Sequence, residues 1–589
     1  MKVFNKRILF LFFFAITTFN SFAQLSGNYK DGFKYINKDD IEKNVTYLAS
    51  DDMKGRGIGT SQTLEAAKYI AGKFYDYGLK PYNDIANPPF SKTKKKTPRV
   101  FSAEKYLQRF NLNETKLNQT ETKLELIKSN SRKTYSYQFK KDFIVDYRLN
   151  KNVTIKAQVV FLGYGIEKDG HGYNDYIDAD GKPIDVKNKI VLLVEGFPQE
   201  SDTSSYFFKS KSKFIKSIKQ KVATLQEKGA LAVLNVQSPL KNQAQFAIKM
   251  EPLIKAFTRT DYAINELSLA ETIPLIYISK DVMIDMFNGS GKKNSELLKN
   301  IDKDLKSASF QFSETEIALN IDFDCKLVET QNVIGFLEGS DPVLKNEYVV
   351  VGAHYDHVGL GYYGAMNKSD AGKIHNGADD NASGTSGMVE LAEAFSNVKS
   401  KRSLIFIAFA AEENGMLGSK HYVYQNPLFP LEKTVGMVNL DMISRNNKRI
   451  IWIGGPYYSS DMKLIVEEAN KEIGFELLYN VGLYTFASDQ AGFIRKNIPS
   501  VFLFAGDHDD YHTPNDDVDK CDFEKAESVS KLGYLTAWLL ANQNSKPAYR
   551  ALSIEEKTKL VKDSIEKQRK IVPEKKSIEE SEKKLEENR

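Results

Sequence analysis

Carboxylates and histidines follow directly on apolar runs in the carboxyl-terminal part of the chain. The run 348–351 leads to His354 and Asp356, 404–409 to Glu412 and Glu413, 435–440 to Asp441, and 501–504 to Asp507 and His512. Between the first two, Asp379 and Asp380 sit on a Gly-flanked stretch, Gly377-Ala378-Asp379-Asp380-Asn381-Ala382-Ser383-Gly384, before a helical pattern that runs to about Phe395. Adjacent carboxylates such as Glu412 and Glu413 repel each other after an apolar run unless a cation compensates them. His354 and Asp356 stand two apart, so an extended backbone puts both on one face, where the carboxylate supports the imidazole. Two histidines, several carboxylates and no thiolate suit zinc in an open catalytic site rather than a closed structural one.

Something must bring four such places together. Short apolar runs between helical segments read as buried strands of an α/β sheet, and ligands in such sheets bind outside the carboxyl ends of the strands. The expected fold class is therefore α/β, a three-layer α/β/α arrangement with a mixed, mostly parallel central sheet. Upstream, residues 41–48 and 64–74 carry helical spacing around the Gly-rich turn at 55–59, whereas 124–321 breaks into short β-rich runs. At 589 residues more than one folded unit is expected. The boundaries read as 30–120 and 326–545 for one domain, 121–325 for an inserted β-rich domain, and 546–589 for a Lys/Glu-rich helical or disordered tail.

The 82 basic and 77 acidic residues nearly balance, which removes any electrostatic case for a nucleic-acid partner. Lys2, Lys6 and Arg7 precede the apolar run 8–16, and Ser21 and Ala23 frame a cleavage site before Gln24. That order is a signal peptide, residues 1–23, so the mature chain is expected to be exported, periplasmic or extracellular. The run falls short of the ~20 residues a bilayer span needs and has no later counterpart, so no integral membrane segment is expected. Cys325 and Cys521 are too few for a disulfide framework, and their spacing matches no zinc-thiolate site.

The stretches Gly352-Ala353-His354-Tyr355-Asp356-His357, 376–385, 408–418, Asn439-Leu440-Asp441-Met442 and 511–514 together resemble the co-catalytic zinc exopeptidases of metallopeptidase family twenty-eight. They occur in that family's order and approximate spacing, from about 330 to 542, and 48–81 resembles its amino-terminal helical part. The insert resembles a protease-associated (PA) domain through 160–166, 185–194 and Lys228-Gly229-Ala230.

Residue by residue, the resemblance implies two zinc ions, one held by His354 and Asp441, the other by Glu413 and His512, with Asp380 bridging and Asp379 as the alternative bridge. It implies Glu412 as general base, Asp356 behind His354, Tyr511 as donor to an oxyanion, and a cis or otherwise strained peptide bond after Asp380. The function implied is an aminopeptidase acting on peptides; carboxypeptidase or dipeptidase action is the alternative, and a receptor-like protein on the same fold is less favoured. Arg445 and Arg495 are the cations a carboxypeptidase could use, and Tyr484, Phe486 and Phe493 are candidates to line an apolar specificity pocket.

Overall fold

The computed structural model describes residues 25, 27–86, 100–146, 152–167, 173–209, 215–240, 245–257, 260–264, 272–479 and 484–571. The expected signal peptide and residues 572–589 of the charged tail lie outside the described residues. The chain divides into two compact units, one of residues up to Phe110 and from Thr330 onward, the other Asn111–Glu329.

Seven strands of a ten-stranded sheet position the site in the first unit: β1 (Phe323–Leu337), β2 (Tyr348–His354), β3 (Ser403–Phe409), β4 (Thr434–Leu440), β5 (Ile450–Gly454), β6 (Glu476–Tyr479) and β7 (Ser500–Phe504). Their order across the sheet is β6-β5-β7-β4-β2-β3-β1. Neighbours β3, β2, β4 and β7 run parallel, β5 and β6 run parallel to each other but antiparallel to β7, and β1 is antiparallel to β3. A sheet whose four central strands are parallel must be covered on both faces, which is why β2, β3, β4 and β7 are buried throughout.

Side chains of β3 show the two-residue period of that covering. Ile405, Ile407 and Phe409 pack on one face with Tyr422, Val423 and Phe493, which come from the helices Leu417–Tyr424 and Gln490–Arg495. Phe406 points to the opposite face, its ring 6.4 Å from Phe74 and 6.2 Å from Phe395, on helices Ser61–Asp76 and Gly384–Ser396. The result is three layers, α/β/α, around a mixed and mostly parallel sheet. On the amino-terminal side, Asn37 and Thr60 cap helices Lys38–Leu48 and Ser61–Asp76 by accepting the N–H groups of Asp40 and Thr63.

The second unit holds its own mixed sheet of eight strands. At its centre Val153–Phe161, Ile190–Val194, Ala232–Val236 and Leu275–Ile278 are parallel neighbours, with antiparallel strands on both sides. Its core gathers Leu192, Leu234, Ile276 and the cluster Phe161, Phe287, Phe310 and Phe312. Cys325 and Cys521 are both free thiols.

Candidate metal centre

The connection leaving β2 runs to β3 on one side and the connection leaving β4 runs to β5 on the other, so a crevice opens between the carboxyl ends of β2 and β4. Gly352 of β2 stands opposite Asn439 of β4, and two residues further along each strand come His354 and Asp441. They are level, with His354 Nε2 3.2 Å from Asp441 Oδ1. The other ring nitrogen, Nδ1, faces the backbone carbonyl of Asp356 at 3.2 Å. The Asp356 carboxylate stands 3.8 Å from that nitrogen and accepts the Glu412 N–H at 3.1 Å instead. Two-residue parity ends with the strand at His354, so the carbonyl of Asp356 rather than its carboxylate orients the ring.

The turn 377–384 starts at Gly377 with φ of +60°. A Cβ there would lie 2.2 Å from the Asp380 carbonyl oxygen and 2.5 Å from the His357 ring, so only glycine fits. Buried Asp516 accepts the backbone N–H groups of Asp379 (3.1 Å) and Asp380 (3.0 Å). Wholly buried Arg56, unremarked in the sequence beyond its Gly-rich turn, donates to the carbonyls of Tyr355, Asn376 and Gly377 at 2.7–2.8 Å. It thus joins the end of β2 to the turn. The Asp380–Asn381 peptide bond is cis. Of the two candidate bridging residues, Asp379 turns away toward Ser383 and Ser444, while Asp380 faces the cluster. Its Oδ1 is 3.4 Å from His354 Nε2 and its Oδ2 3.1 Å from His512 Nε2.

On the second side, Glu413 Oε2 lies 2.8 Å from His512 Nε2 and Oε1 lies 2.8 Å from His357 Nδ1. His512 gives its Nδ1 hydrogen to the Gly364 carbonyl at 2.8 Å, which leaves Nε2 aimed at Asp380 and Glu413. Ligand-forming atoms therefore gather in groups that share Asp380: His354 with Asp441, and His512 with Glu413 and His357. Sequence spacing gave His357 no role. It lies beyond the end of β2, where alternation no longer says which way a side chain points, and only its place three residues after His354 hinted at it.

These groups fit a divalent cation. With Nδ1 hydrogens committed to carbonyls, the Nε2 lone pairs of His354 and His512 face carboxylate oxygens, acceptor against acceptor, so a proton or a metal must stand between. Two ligand atoms ~2.0–2.1 Å from one tetrahedral ion lie about 3.3 Å apart, which matches the His354–Asp441 and His354–Asp380 separations. Charge tells the same story. Burial raises the Asp380 carboxyl, yet His357 first and then His354 and His512 hold it well below its ordinary value. Burial opposes charge on His512, but Glu413 beside it pushes the imidazole up to about 11. Burial, with Glu413 adjoining, holds the Glu412 carboxyl well above the carboxylate range.

The cluster opens into a cavity of about 400 Å³ lined by Glu412, Tyr511, Met442, Tyr484, Phe502 and Phe504 besides the His and carboxylate groups. The Tyr511 ring stacks on His512 with centroids 3.8 Å apart. Of the three expected aromatic liners only Tyr484 reaches the cavity. Phe493 is core, because its helix turns it under β3, and Phe486 packs on Tyr458 beneath Arg495. Arg445 is engaged by Asp510 at 2.6 Å and Asp516 at 3.6 Å, and among the described residues no arginine or lysine lines the cavity.

Residues 332–535 match the family model described as Peptidase family M28. The chain is 27% identical to aminopeptidase YwaD of Bacillus subtilis over 340 residues, 55% of this chain and 70% of that protein. It is 33% identical to leucine aminopeptidase 2 of Trichophyton equinum over 186 residues, 30% of this chain, and spans only 34% of that relative's length. The aminopeptidase of Aneurinibacillus sp. strain AM-1 superposes with a TM-score of 0.47 at 19% identity, covering 89% of this chain and 99% of that one. The matched segment runs from β1 into the helix Phe523–Asn542 and encloses every member of the cluster, so the similarity to peptidase family M28 falls on the part of the chain that carries the site.

Proposed function

We propose that the protein is an exported zinc aminopeptidase that hydrolyses the amino-terminal peptide bond of peptides at a two-zinc site. One observation carries the reading: Asp380 turns one oxygen toward His354 and the other toward His512, as a carboxylate shared by two ions would. On this reading His354 and Asp441 would hold one zinc and Glu413 and His512 the other, Asp380 would be available to both, and His357 is hydrogen-bonded to Glu413 from behind. Bound zinc ions supply Lewis acidity and a water of lowered pKa. Glu412 takes the water's proton and passes it to the leaving amine. Tyr511, whose phenol burial holds well above its ordinary pKa, stays neutral and donates its O–H to the developing oxyanion.

The relatives named above as aminopeptidases support the choice of substrate end, as does a cavity rimmed by carboxylates. A free α-ammonium is favoured there over a carboxylate. Export rests on the order of charges and apolar residues at 1–23, and the insert is read as a PA-like domain with no chemistry of its own. No helix among the described residues is long and apolar enough to cross a membrane.

The test compares a free Leu-containing dipeptide with its N-acetylated and C-amidated forms at equal zinc. Acetylation is expected to lower kcat/KM by roughly tenfold to more than a hundredfold, and amidation to matter far less. Cleavage of the acetylated peptide with refusal of the amide makes the enzyme a carboxypeptidase.

A further inference from the structure

We propose that the aromatic chamber beside the metal cluster receives the side chain of the substrate's amino-terminal residue, and that Asp507 at its rim selects a long cationic one, lysine or arginine. The inference rests on the aminopeptidase reading and specifies its substrate class.

The chamber wall is closely packed and aromatic. Phe502 and Phe504 on β7 stack with centroids 5.3 Å apart, Tyr484 meets Phe504 edge-on at 4.8 Å, and Met442 completes the cluster. All four are nearly buried, and all line the cavity that holds His354, Glu412 and Asp441. An apolar chamber alone would suit leucine or phenylalanine. Asp507, three residues past the end of β7, changes the chemistry, because it is an exposed carboxylate lining the same cavity outside the metal-facing set.

Its position is held. The Tyr484 hydroxyl, kept neutral by burial and by Asp507 itself, donates to Asp507 Oδ2 at 3.2 Å, and Asn446 Nδ2 donates to the Asp507 carbonyl at 3.0 Å. A lysine or arginine lays its methylene stem along aromatic faces and keeps its charged head at the wet end. Here that end carries the carboxylate. An aliphatic side chain of equal length would instead cover Asp507 without replacing the water it loses.

The experiment measures kcat/KM for lysyl-, arginyl-, norleucyl-, leucyl- and glutamyl-p-nitroanilides on the zinc-loaded full chain and on Asp507→Asn, with zinc content determined for both. Norleucine matches lysine in stem but lacks the ammonium. The expected result is a preference for lysyl over norleucyl of about fivefold or more, carried mainly by KM and shrinking as salt is added. In Asp507→Asn that ratio falls toward one, and in Asp507→Lys the glutamyl substrate gains relative to the lysyl one. A measurement that needs no variant is inhibition of the wild-type enzyme by free lysine against free norleucine, where lysine is expected to bind more tightly. Equal use of lysyl and norleucyl substrates, or a ratio that survives Asp507→Asn, overturns the role of Asp507 while leaving the aminopeptidase reading intact. Failure to cleave any of the five aminoacyl substrates overturns both.

Discussion

Asp379 Oδ1 accepts two hydrogen bonds from Ser444, the backbone N–H at 2.7 Å and the hydroxyl at 2.6 Å. Ser444 lies three residues beyond Asp441, so this pair stitches the turn that carries Asp380 to the chain leaving β4. The aspartate adjacent to Asp380 thus acts by position, with Ser383 donating to the same oxygen at 3.0 Å. Asp379→Ala is expected to weaken zinc binding by ~10–100-fold, the usual cost of losing such support, and to lower the melting temperature. Zinc titration of the metal-free protein checks it. A lower melting temperature with unchanged zinc affinity would restrict Asp379 to a folding role.

Glu412 and Glu413 adjoin in sequence but differ in surroundings, since Glu413 meets His357 and His512 at 2.8 Å whereas Glu412 lines the open cavity. Glu412→Gln is expected to keep about two zinc ions and lose ~10²–10⁴ in kcat. Glu413→Gln is expected to lose one ion at limiting zinc. Elemental analysis beside single-turnover assays separates them, and a reversed pattern exchanges the two roles.

Metal binding is expected to release protons and to tighten as pH rises. In the metal-free cluster, burial opposes charge on His512 but Glu413 pushes its pKa up to about 11, so a zinc ion must displace that proton near neutral pH. Calorimetric titration in buffers of different ionisation enthalpy reads the number released. The linked stability has a definite sign. A histidine whose folded pKa lies above its unfolded value of ~6.5 contributes stability that is full below that value and lost as pH rises toward about 11. Metal-free protein is therefore expected to lose melting temperature from pH 7 to 10, and zinc-loaded protein to be spared that share. An identical decline in both forms would contradict it.

Glu390, on the helix that follows the metal turn, is wholly buried, and its Oε1 accepts from Asn44 at 3.3 Å. Burial, helped by Asp40 and Glu393, raises its carboxyl to about 8. Because the folded state binds this proton more tightly than the unfolded one, stability is expected to fall as pH rises from ~4.5 through about 8. Glu390→Gln keeps the shape and removes the titration. It should be more stable than the parent at pH 8.5 by on the order of a few kcal/mol, and close to it at pH 5. Denaturation midpoints at the two values decide, and equal differences at both would exclude Glu390 as the source.

Local chemistry made much of the site legible. Apolar runs ending in His354, Glu412 and Glu413, Asp441 and His512 mark buried strands and their polar ends, because a strand's hydrophobicity and the polarity that follows it are properties of a few consecutive residues. The four runs fall on β2, β3, β4 and β7, parallel neighbours whose carboxyl ends share one edge. What consecutive residues cannot encode is the register between strands and the aim of side chains once a strand has ended. Register sets His354 level with Asp441, and the turn at Gly377, held by Asp516 and Arg56, decides that Asp380 rather than Asp379 faces the cluster. Beyond the end of β2, packing alone brings His357 onto Glu413 and leaves the Asp356 carboxylate with the Glu412 amide. Likewise Tyr484, Phe486 and Phe493 are alike as residue types, and only the path of the chain between β6 and β7 makes one a cavity wall and the others packing.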